Sequence, residues 1–425
     1  MIRRSAIIIT KGNEGDISVD RDLARVYITE KAERVLRAGH LWVYGAEISR
    51  REGAYANGDI VDVLSKKGRW LGAGFINDIS KIGVRIISQN SNDRFDQDFF
   101  SRRLQHALAY RARVMGEDFC CCRLIFGEAD FFPGLTVDRF EEVLVTEVLC
   151  CGLDRLKDRL YPELVRQLRE DYRVEISALY ERNEAPLREK EGLERYQGFY
   201  PLPGLAQGDG HVLIRENGLL YDVDYIKGQK TGFFLDQKYN RAAVARLCAG
   251  RRVLDCCTHS GAFALNAAQA GAARVTAVDI SQDALDQARA NAARNGLEKR
   301  VDFLRADVFD LLSQLTQQKC HDYDLIILDP PAFTKSGATV GAAYGGYKEI
   351  NMKAMRLLPR GGYLATCSCS HFMTNDLFKA MLEEAARDAG VRIRQIEARQ
   401  QAADHPILLG VPETNYLKFY LLQVV

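Results

Sequence analysis

No stretch of this 425-residue chain stays apolar for the roughly 20 residues that a helix needs to cross a bilayer. Near the N-terminus only Ala6 to Thr10 is apolar, too short for the core of a secretory signal, and no small-residue cleavage site follows it. A helical membrane protein and a secreted one are disfavoured, and the cytoplasm is the expected location. The eleven cysteines are never spaced C-x-x-C, the spacing that lets two thiolates share one metal. They come as neighbours, at Cys120, Cys121 and Cys122, at Cys150 and Cys151, and at Cys256 and Cys257. No metal is expected, and unpaired thiols in such number fit a reducing compartment. Most are expected to be small core residues. An excess of one charge is missing too. There are 58 Lys and Arg against 57 Asp and Glu, so the total does not demand a nucleic-acid partner. Residues 1–95 hold 16 basic against 12 acidic residues, an excess that a solvated face of mixed charge also gives.

What is present is the composition of a folded protein, 47% hydrophobic and 27% charged, long enough for two or three domains. The expected class is α/β. A doubly wound, Rossmann-like domain is joined to a central α+β domain and an N-terminal β-rich domain. Residues 1–21 form an extension for which disorder is expected. Residues 22–97 open with the helical stretch EKAERVLRAG, stopped at Gly39, and continue with the strand candidates DIVDVLS, RWLGAGFI and KIGVRIIS. Residues 98–217 read as a helix, FFSRRLQHALAYRARV, a hairpin, LTVDRFEEVLVTEVL, a second helix, LDRLKDRLYPELVRQL, and a strand, VEISALYER. Residues 218–425 alternate strand and helix, from RVLDCC through RVTAVDI, VDFLRAD, YDLIILD and GYLATCS to YLKFYLLQVV. SQDALDQARANAARNGL carries Ser281 as N-cap and Gly296 as stop. Such alternation implies a parallel sheet covered by helices on both faces, with its ligand site at the carboxyl ends of the strands.

Four segments carry chemistry. In VLDCCTHSGAF a strand ends at Asp255 and Gly261 opens a helix, whose amides suit a carboxylate or phosphate. The loop lacks G-x-G-x-x-G, which argues against a nicotinamide cofactor; an ordinary strand–helix turn has the same look. Asp279 ends the next strand, placed to accept from both ribose hydroxyls of an adenosine cofactor. Asp307 ends the third, facing the adenine amino group. One Asp after a strand is usually a turn residue; three in register are a pattern. In LDPPAF, Asp329 offers an acceptor, Pro330 and Pro331 stiffen the backbone, and Phe333 offers a ring on which a base can stack. In TCSCS a thiol stands at the end of the fifth strand. Carbon 5 of cytosine reacts only after a thiolate adds to carbon 6, so a cysteine there is a candidate nucleophile. A free thiol is only a few per cent ionised at pH 7, so the site is expected to lower its pKa. A strand cysteine that is purely structural remains the plain alternative.

With these motifs the chain resembles the large-subunit (23S) rRNA methyltransferase I family of cytosine-5 methyltransferases. The resemblance rests on KGQKTGFFLDQKYNR (227–241), VLDCCTHSGAFALNAA (253–268), DLIILDPPAFTKS (324–336), GGYLATCSCSHFM (361–373) and RQQAADHP (399–406), with HLWVYGAEI (40–48) and FGEADFFPGLTVDRF (126–140). It implies a PUA RNA-binding domain at the N-terminus, a central α+β domain facing RNA, and a Rossmann-like class I methyltransferase domain with S-adenosyl-L-methionine as cofactor. It also implies a cofactor site including Asp255, Gly261, Asp279, Asp307 and Asp329 with Phe234 and Asp236 beside it, and Pro330, Pro331 and Phe333 toward the substrate. Cys369 would be the nucleophile and Asp329 its catalytic partner; alternation along the strand puts Cys367 on the same side. Ribosomal RNA of the large subunit is the implied partner, no membrane is involved, and a homodimer is in keeping with the resemblance. Many cytosine-5 enzymes have cysteine where this chain has Pro331, so proton removal and product release must use another group or water, with His371 and Asp404–His405 as candidates. Arg34, Arg37 and Lys66 are candidates for phosphate contacts. The alternatives are an N-methyltransferase acting on guanine, which needs no thiol, and a non-catalytic RNA-binding factor.

Overall fold

The computed structural model describes residues 22–334 and 336–425; the expected disordered extension, 1–21, lies outside them. The chain divides into two compact units, one holding the residues up to Asp209 with Ile407–Val411, the other Gly210–Pro406 with Pro412–Val425. Among the described residues no helix is long and apolar enough to cross a membrane.

The first unit contains two sheets. One has six strands in the spatial order Trp42–Tyr44, Ile82–Ser88, Trp70–Ile76, Ile60–Ser65, Arg25–Ile28, Ile48–Glu52. Its core is Val26, Ile28, Val43, Val61, Val63, Val84 and Ile86 with Leu36 from the helix Glu30–Arg37, and Val411 completes it. The helix ends before Gly39, whose φ of +99° suits a residue without Cβ. Arg37, a candidate for phosphate contact, is paired with Glu33 one turn earlier at 2.9 Å. The other sheet orders Tyr196–Phe199, Ala178–Asn183, Val143–Val148, Leu135–Phe140, Cys121–Phe126, with the helices Gln97–Met115 and Cys151–Tyr172 packed together. A Cβ on Gly152 would stand 2.2 Å from the Phe75 ring, so the helix reaches the six-stranded sheet only because that side chain is absent. The expected strand VEISALYER is shorter than its sequence, beginning at Ala178.

The second unit opens with the hairpin His211–Glu216 and Leu219–Asp224. Both strands belong to this unit, whose edge is at Gly210, and residues 217 and 218 form the turn between them. A seven-stranded sheet follows: β1 Arg252–Cys256, β2 Arg274–Asp279, β3 Val301–Arg305, β4 Leu325–Leu328, β5 Tyr363–Ser368, β6 Ile393–Arg399 and β7 Lys418–Val424. The spatial order is β3-β2-β1-β4-β5-β7-β6. The first five are parallel, and β7 runs antiparallel to both β5 and β6. The interior strand β4, Leu-Ile-Ile-Leu, is buried at every residue, as a strand covered on both faces must be. The helices are α1 Lys238–Ala245, α2 Ala262–Gln269, α3 Gln282–Arg294, α4 Val308–Gln317, α5 Val340–Leu357 and α6 Asn375–Ala389. Ser281 caps α3, accepting from the Ala284 amide at 3.3 Å, and Gly296 stops it with a φ of +66°. Sheet order reverses between β2-β1 and β4-β5, which opens a crevice at the carboxyl ends of β1 and β4.

Helix α1 is fastened to the hairpin by a buried pair. Arg241 donates to Glu216 through Nε (2.6 Å) and Nη2 (2.7 Å), and Nη2 also reaches the Phe234 carbonyl at 2.8 Å. Their side chains are 2% and 0% exposed. Removing one partner of such a pair strands the other charge away from water, a loss of about 3–5 kcal/mol. Arg241→Met should therefore lower the unfolding free energy of this unit by about that amount, read from urea unfolding by circular dichroism, and Glu216→Gln, which leaves the buried guanidinium without its counter-charge, should destabilise it as well.

Candidate active site at the carboxyl edge of the parallel sheet

The crevice is a cavity of about 770 Å3, within the range of small-molecule sites. Asp279, the last residue of β2, accepts from the Ser281 amide through Oδ1 and from the His259 amide through Oδ2, both at 2.9 Å. Those bonds fix the carboxylate and leave it lone pairs for further donors. Asp307 also lines the cavity, but β3 ends at Arg305 and Asp307 is the N-cap of α4. Its Oδ1 accepts from the Phe309 amide (2.8 Å) and the Asp310 amide (3.3 Å). Ile280, Val308 and Phe309 give the wall between the two acids an apolar surface.

Asp329 follows β4, and its Oδ1 accepts from Gln237 Nε2 at 3.1 Å. Pro330, Pro331 and Phe333 continue that wall. The Phe333 ring is backed by Tyr347 at 4.4 Å and 31° and flanked by Phe309 at 5.7 Å, an aromatic layer that holds its plane. Opposite lie Phe234 and Asp236. Tyr416 donates its hydroxyl to Asp236 Oδ2 at 2.6 Å, the Asp236 carbonyl accepts from the Ala402 amide at 2.8 Å, and Lys230 Nζ stands 3.8 Å from the carboxylate. The segment 399–406 thus buttresses the 233–237 turn from behind.

Two expected residues do not face the cavity. Asp255 is fully buried; its Oδ2 accepts from Thr258 Oγ1 at 2.6 Å and the Ala264 amide at 3.0 Å, while Oδ1 has no partner. It holds the loop between β1 and α2 from beneath. Gly261 is absent from the wall and serves through its backbone, with φ +82° and a Cβ position 3.0 Å from that of Ala288. The two candidate thiols separate. Cys367, inside β5, is fully buried, whereas Cys369 lies past the strand end at Ser368, where alternation no longer applies, and joins the wall. His371 and the buried pair His405–Asp404, bonded at 2.8 Å, stand off the wall.

Charge is distributed unevenly around this cavity. Burial, followed by the neighbouring Asp236, pushes the Asp329 carboxyl up to about 6, against Arg241 and the Gln237 bond. Burial pushes Asp255 up to about 7, with Asp329 adding to it and Thr258 opposing. The expectation of a depressed thiol is overturned. Burial and then Asp329 raise Cys369 to about 11, with Lys230 and Lys418 acting in the other direction. Burial also keeps the His259 imidazole below its ordinary value. The assembly is one of acceptors around a mixed apolar and acidic hollow, which suits ribose hydroxyls, a planar base and a positive centre.

Residues 209–413 match the pattern of S-adenosylmethionine-dependent methyltransferases, and residues 26–89 that of PUA-like domains. A Shewanella denitrificans protein named ribosomal RNA large subunit methyltransferase I is 41% identical over 405 residues, 94% of this chain and 99% of that one. The Klebsiella pneumoniae protein of the same name is 38% identical over 404 residues, 94% of this chain and 98% of that one. The chain belongs to this family. It is an S-adenosylmethionine-dependent methyltransferase with an N-terminal PUA-like domain, as its motifs imply. Among solved structures, SMU.776, described as a methyltransferase and crystallised with SAH, superposes with a TM-score of 0.78 at 21% identity, covering 94% of this chain and 100% of that one. A Streptococcus mutans protein described as a SAM-dependent methyltransferase gives 0.77 with the same identity and coverage. At that identity these two establish the fold.

The methyltransferase also brings residues to the cavity that its motifs did not single out. His259, on a left-handed residue with φ +51°, packs edge-on against Phe234 at 5.0 Å, and its Nδ1 is buried without a partner. Lys230 lies over the Phe234 ring at 4.5 Å. Both flank recognised motif residues, which is the signal that sequence offered.

A carboxyl raised from about 3.9 in the unfolded chain to about 7 when folded holds its proton more tightly in the folded state. Its stabilising contribution is present at low pH and is lost as pH climbs from about 4 through 7. Asp255→Asn should flatten the decline in Tm of the methyltransferase unit between pH 5 and 8. A wild-type and a variant curve of equal slope would contradict this assignment.

Proposed function

We propose that this methyltransferase modifies large-subunit ribosomal RNA, forming 5-methylcytosine through a transient bond between Cys369 and carbon 6 of the base. The relatives' names support the RNA, and the PUA-like domain supports it independently of the catalytic unit. The observation that carries the chemistry is a thiol, Cys369, lining the same cavity as Asp329 and the Phe333 ring. A guanine N-methyltransferase needs an acid and a ring but no thiol, so that reading leaves Cys369 without a task. Action on ribosomal RNA goes with a cytoplasmic enzyme.

The donor set fits the cofactor. Asp279 would accept from the ribose hydroxyls, Asp307 would face the adenine with Val308 and Phe309 packing along it, and Phe234 and Asp236 would close the far side. Asp255 and Gly261 would act through the loop they shape. When bound, S-adenosyl-L-methionine supplies an electrophilic methyl group on a sulfonium.

The remaining work falls to this chain's side chains. Single-stranded RNA offers its base at an unstacking cost of a few kcal/mol. Phe333 would take the ring face, with Pro330 and Pro331 fixing the approach, and Asp329 would hold the N3–N4 edge. Cys369 gives up its proton to water or a neighbouring base and its sulfur bonds carbon 6, which leaves the electron pair on carbon 5. Once carbon 5 carries the methyl, its proton leaves to a base, carbon 6 releases sulfur and the ring regains its double bond. His371 and His405 are off the wall, so the proton acceptor belongs among the wall groups or water.

Cys369→Ser should cut formation of 5-methylcytidine in ribosomal RNA by at least about a hundredfold, measured by nucleoside mass spectrometry, with cofactor affinity by calorimetry kept within about twofold. Undiminished 5-methylcytidine, or N-methylguanosine as the product, would overturn the proposal.

A further inference from the structure

The thiol that the proposed chemistry relies on is protonated at neutral pH in its own cavity, held at about 11 chiefly by burial and by Asp329. The groups that act on it come from several elements. Asp329 at the end of β4 and Asp236 in the 233–237 turn disfavour the thiolate, and Lys230 and Lys418 favour it. Cys367 and Tyr347 also lie within its influence. Lys230 is half exposed and leans toward Asp236. Lys418 is different. It opens β7, paired in register with Ser368 at the end of β5, and is 4% exposed. Its ammonium donates to the Ser370 carbonyl at 2.6 Å and the Tyr416 carbonyl at 2.7 Å. Among the described residues no carboxylate pairs with it.

Burying an ammonium with carbonyl partners alone is expensive, and two carbonyls beside a loop could have been met by a neutral donor. The position of this one matters. Ser370 follows Cys369 directly, and its Oγ bonds the hydroxyl of Tyr347 at 3.0 Å, the ring behind Phe333. Lys418 therefore grips the peptide next to the thiol from one side while the aromatic layer grips it from the other.

We propose that Lys418 is the positioning residue of the Cys369 thiol and its charge partner, so that lysine and cysteine share their protons as a pair and thiolate forms opposite ammonium. This rests on Cys369 being the nucleophile. Burial lowers Lys418 to about 8 while Cys369 pulls it upward, so the pair releases its first proton far below the thiol's own value. One of the two resulting forms is thiolate with ammonium.

The test reads the thiol itself. The full-length enzyme is treated with iodoacetamide across pH 6–11, and alkylation of Cys369, in which sulfur bonds carbon and iodide departs, is followed by peptide mass spectrometry. The wild type should show a step in rate near pH 8. In Lys418→Met the step should vanish and the rate at pH 8 fall about tenfold, one unit of apparent pKa. Lys418→Arg keeps donors and charge at every pH in the range, so Cys369 should match wild type below pH 8 and react faster than wild type above it, where lysine loses its charge. If methionine prevents folding, the arginine variant decides. A Cys369 profile that superposes on wild type in either folded variant overturns the proposal, since a purely structural lysine would change stability and leave the profile in place. Alkylation does not depend on methyl transfer, so a wrong assignment of the nucleophile shows instead as full activity in Cys369→Ser.

Discussion

Parallel strands that end at one edge bring their terminal side chains into one space, and in this methyltransferase those side chains are mostly acids. Asp279 ends β2, Asp329 follows β4, Asp307 caps α4 and Asp236 closes from the 233–237 turn, while Asp255, inside β1, holds the loop beneath them. Carboxylates gathered away from water raise one another's proton affinity, and Asp255 at about 7 and Asp329 at about 6 record that cost. The same field raises Cys369. A cavity of this sign is complementary to a sulfonium cofactor, and the strain on its acids and thiol is of the kind that a bound cation relieves.

The surrounding structure is organised to hold that field steady. Asp255 ties the 256–264 loop through Thr258 and Ala264, and the same loop lends its His259 amide to Asp279. Tyr416 and Ala402 support Asp236, and Arg241 links the 233–237 turn to Glu216 in the hairpin. Three motifs far apart in sequence, FFLDQ, AADHP and SCS, thus meet around one hollow. Phe333, Tyr347, Ser370 and Lys418 form a continuous line from the aromatic wall to the strand β7. Tight packing along such a line transmits small displacements, so the Phe333 ring and the thiol are set together.

Much of this was legible in sequence because its signals are periodic or terminal. Buried parallel strands read as short apolar runs, and Ser281 and Gly296 marked the ends of α3 where the structure has them. The strand β6, Ile-Arg-Gln-Ile-Glu-Ala-Arg, was missed because an exposed edge strand carries its charges on both faces. Arg25–Ile28 and Trp42–Tyr44 were missed because they are too short to show alternation. Motif spacing placed Asp255 among the cofactor residues but does not tell a carboxylate that faces the hollow from one that holds the hollow's floor. That difference is made by hydrogen bonds to residues three and nine positions on. Lys418 and the raised thiol were out of reach, because both depend on how deeply a strand end is buried by segments far apart in the chain.

The central claim is that an acid-lined cavity holds Cys369 protonated until positive charge enters it. The most direct measurement is the titration of Cys369, followed by its ultraviolet thiolate absorbance against a Cys369→Ser reference, in the free enzyme, with S-adenosylmethionine, and with its uncharged product S-adenosylhomocysteine. The account predicts a main transition near 11 in the free enzyme, above the small step near pH 8 that Lys418 gives, a clear fall of the main transition with the sulfonium, and little change with the thioether. Equal midpoints in the two complexes, or a single complete transition near 8.5 in the free enzyme, would contradict it.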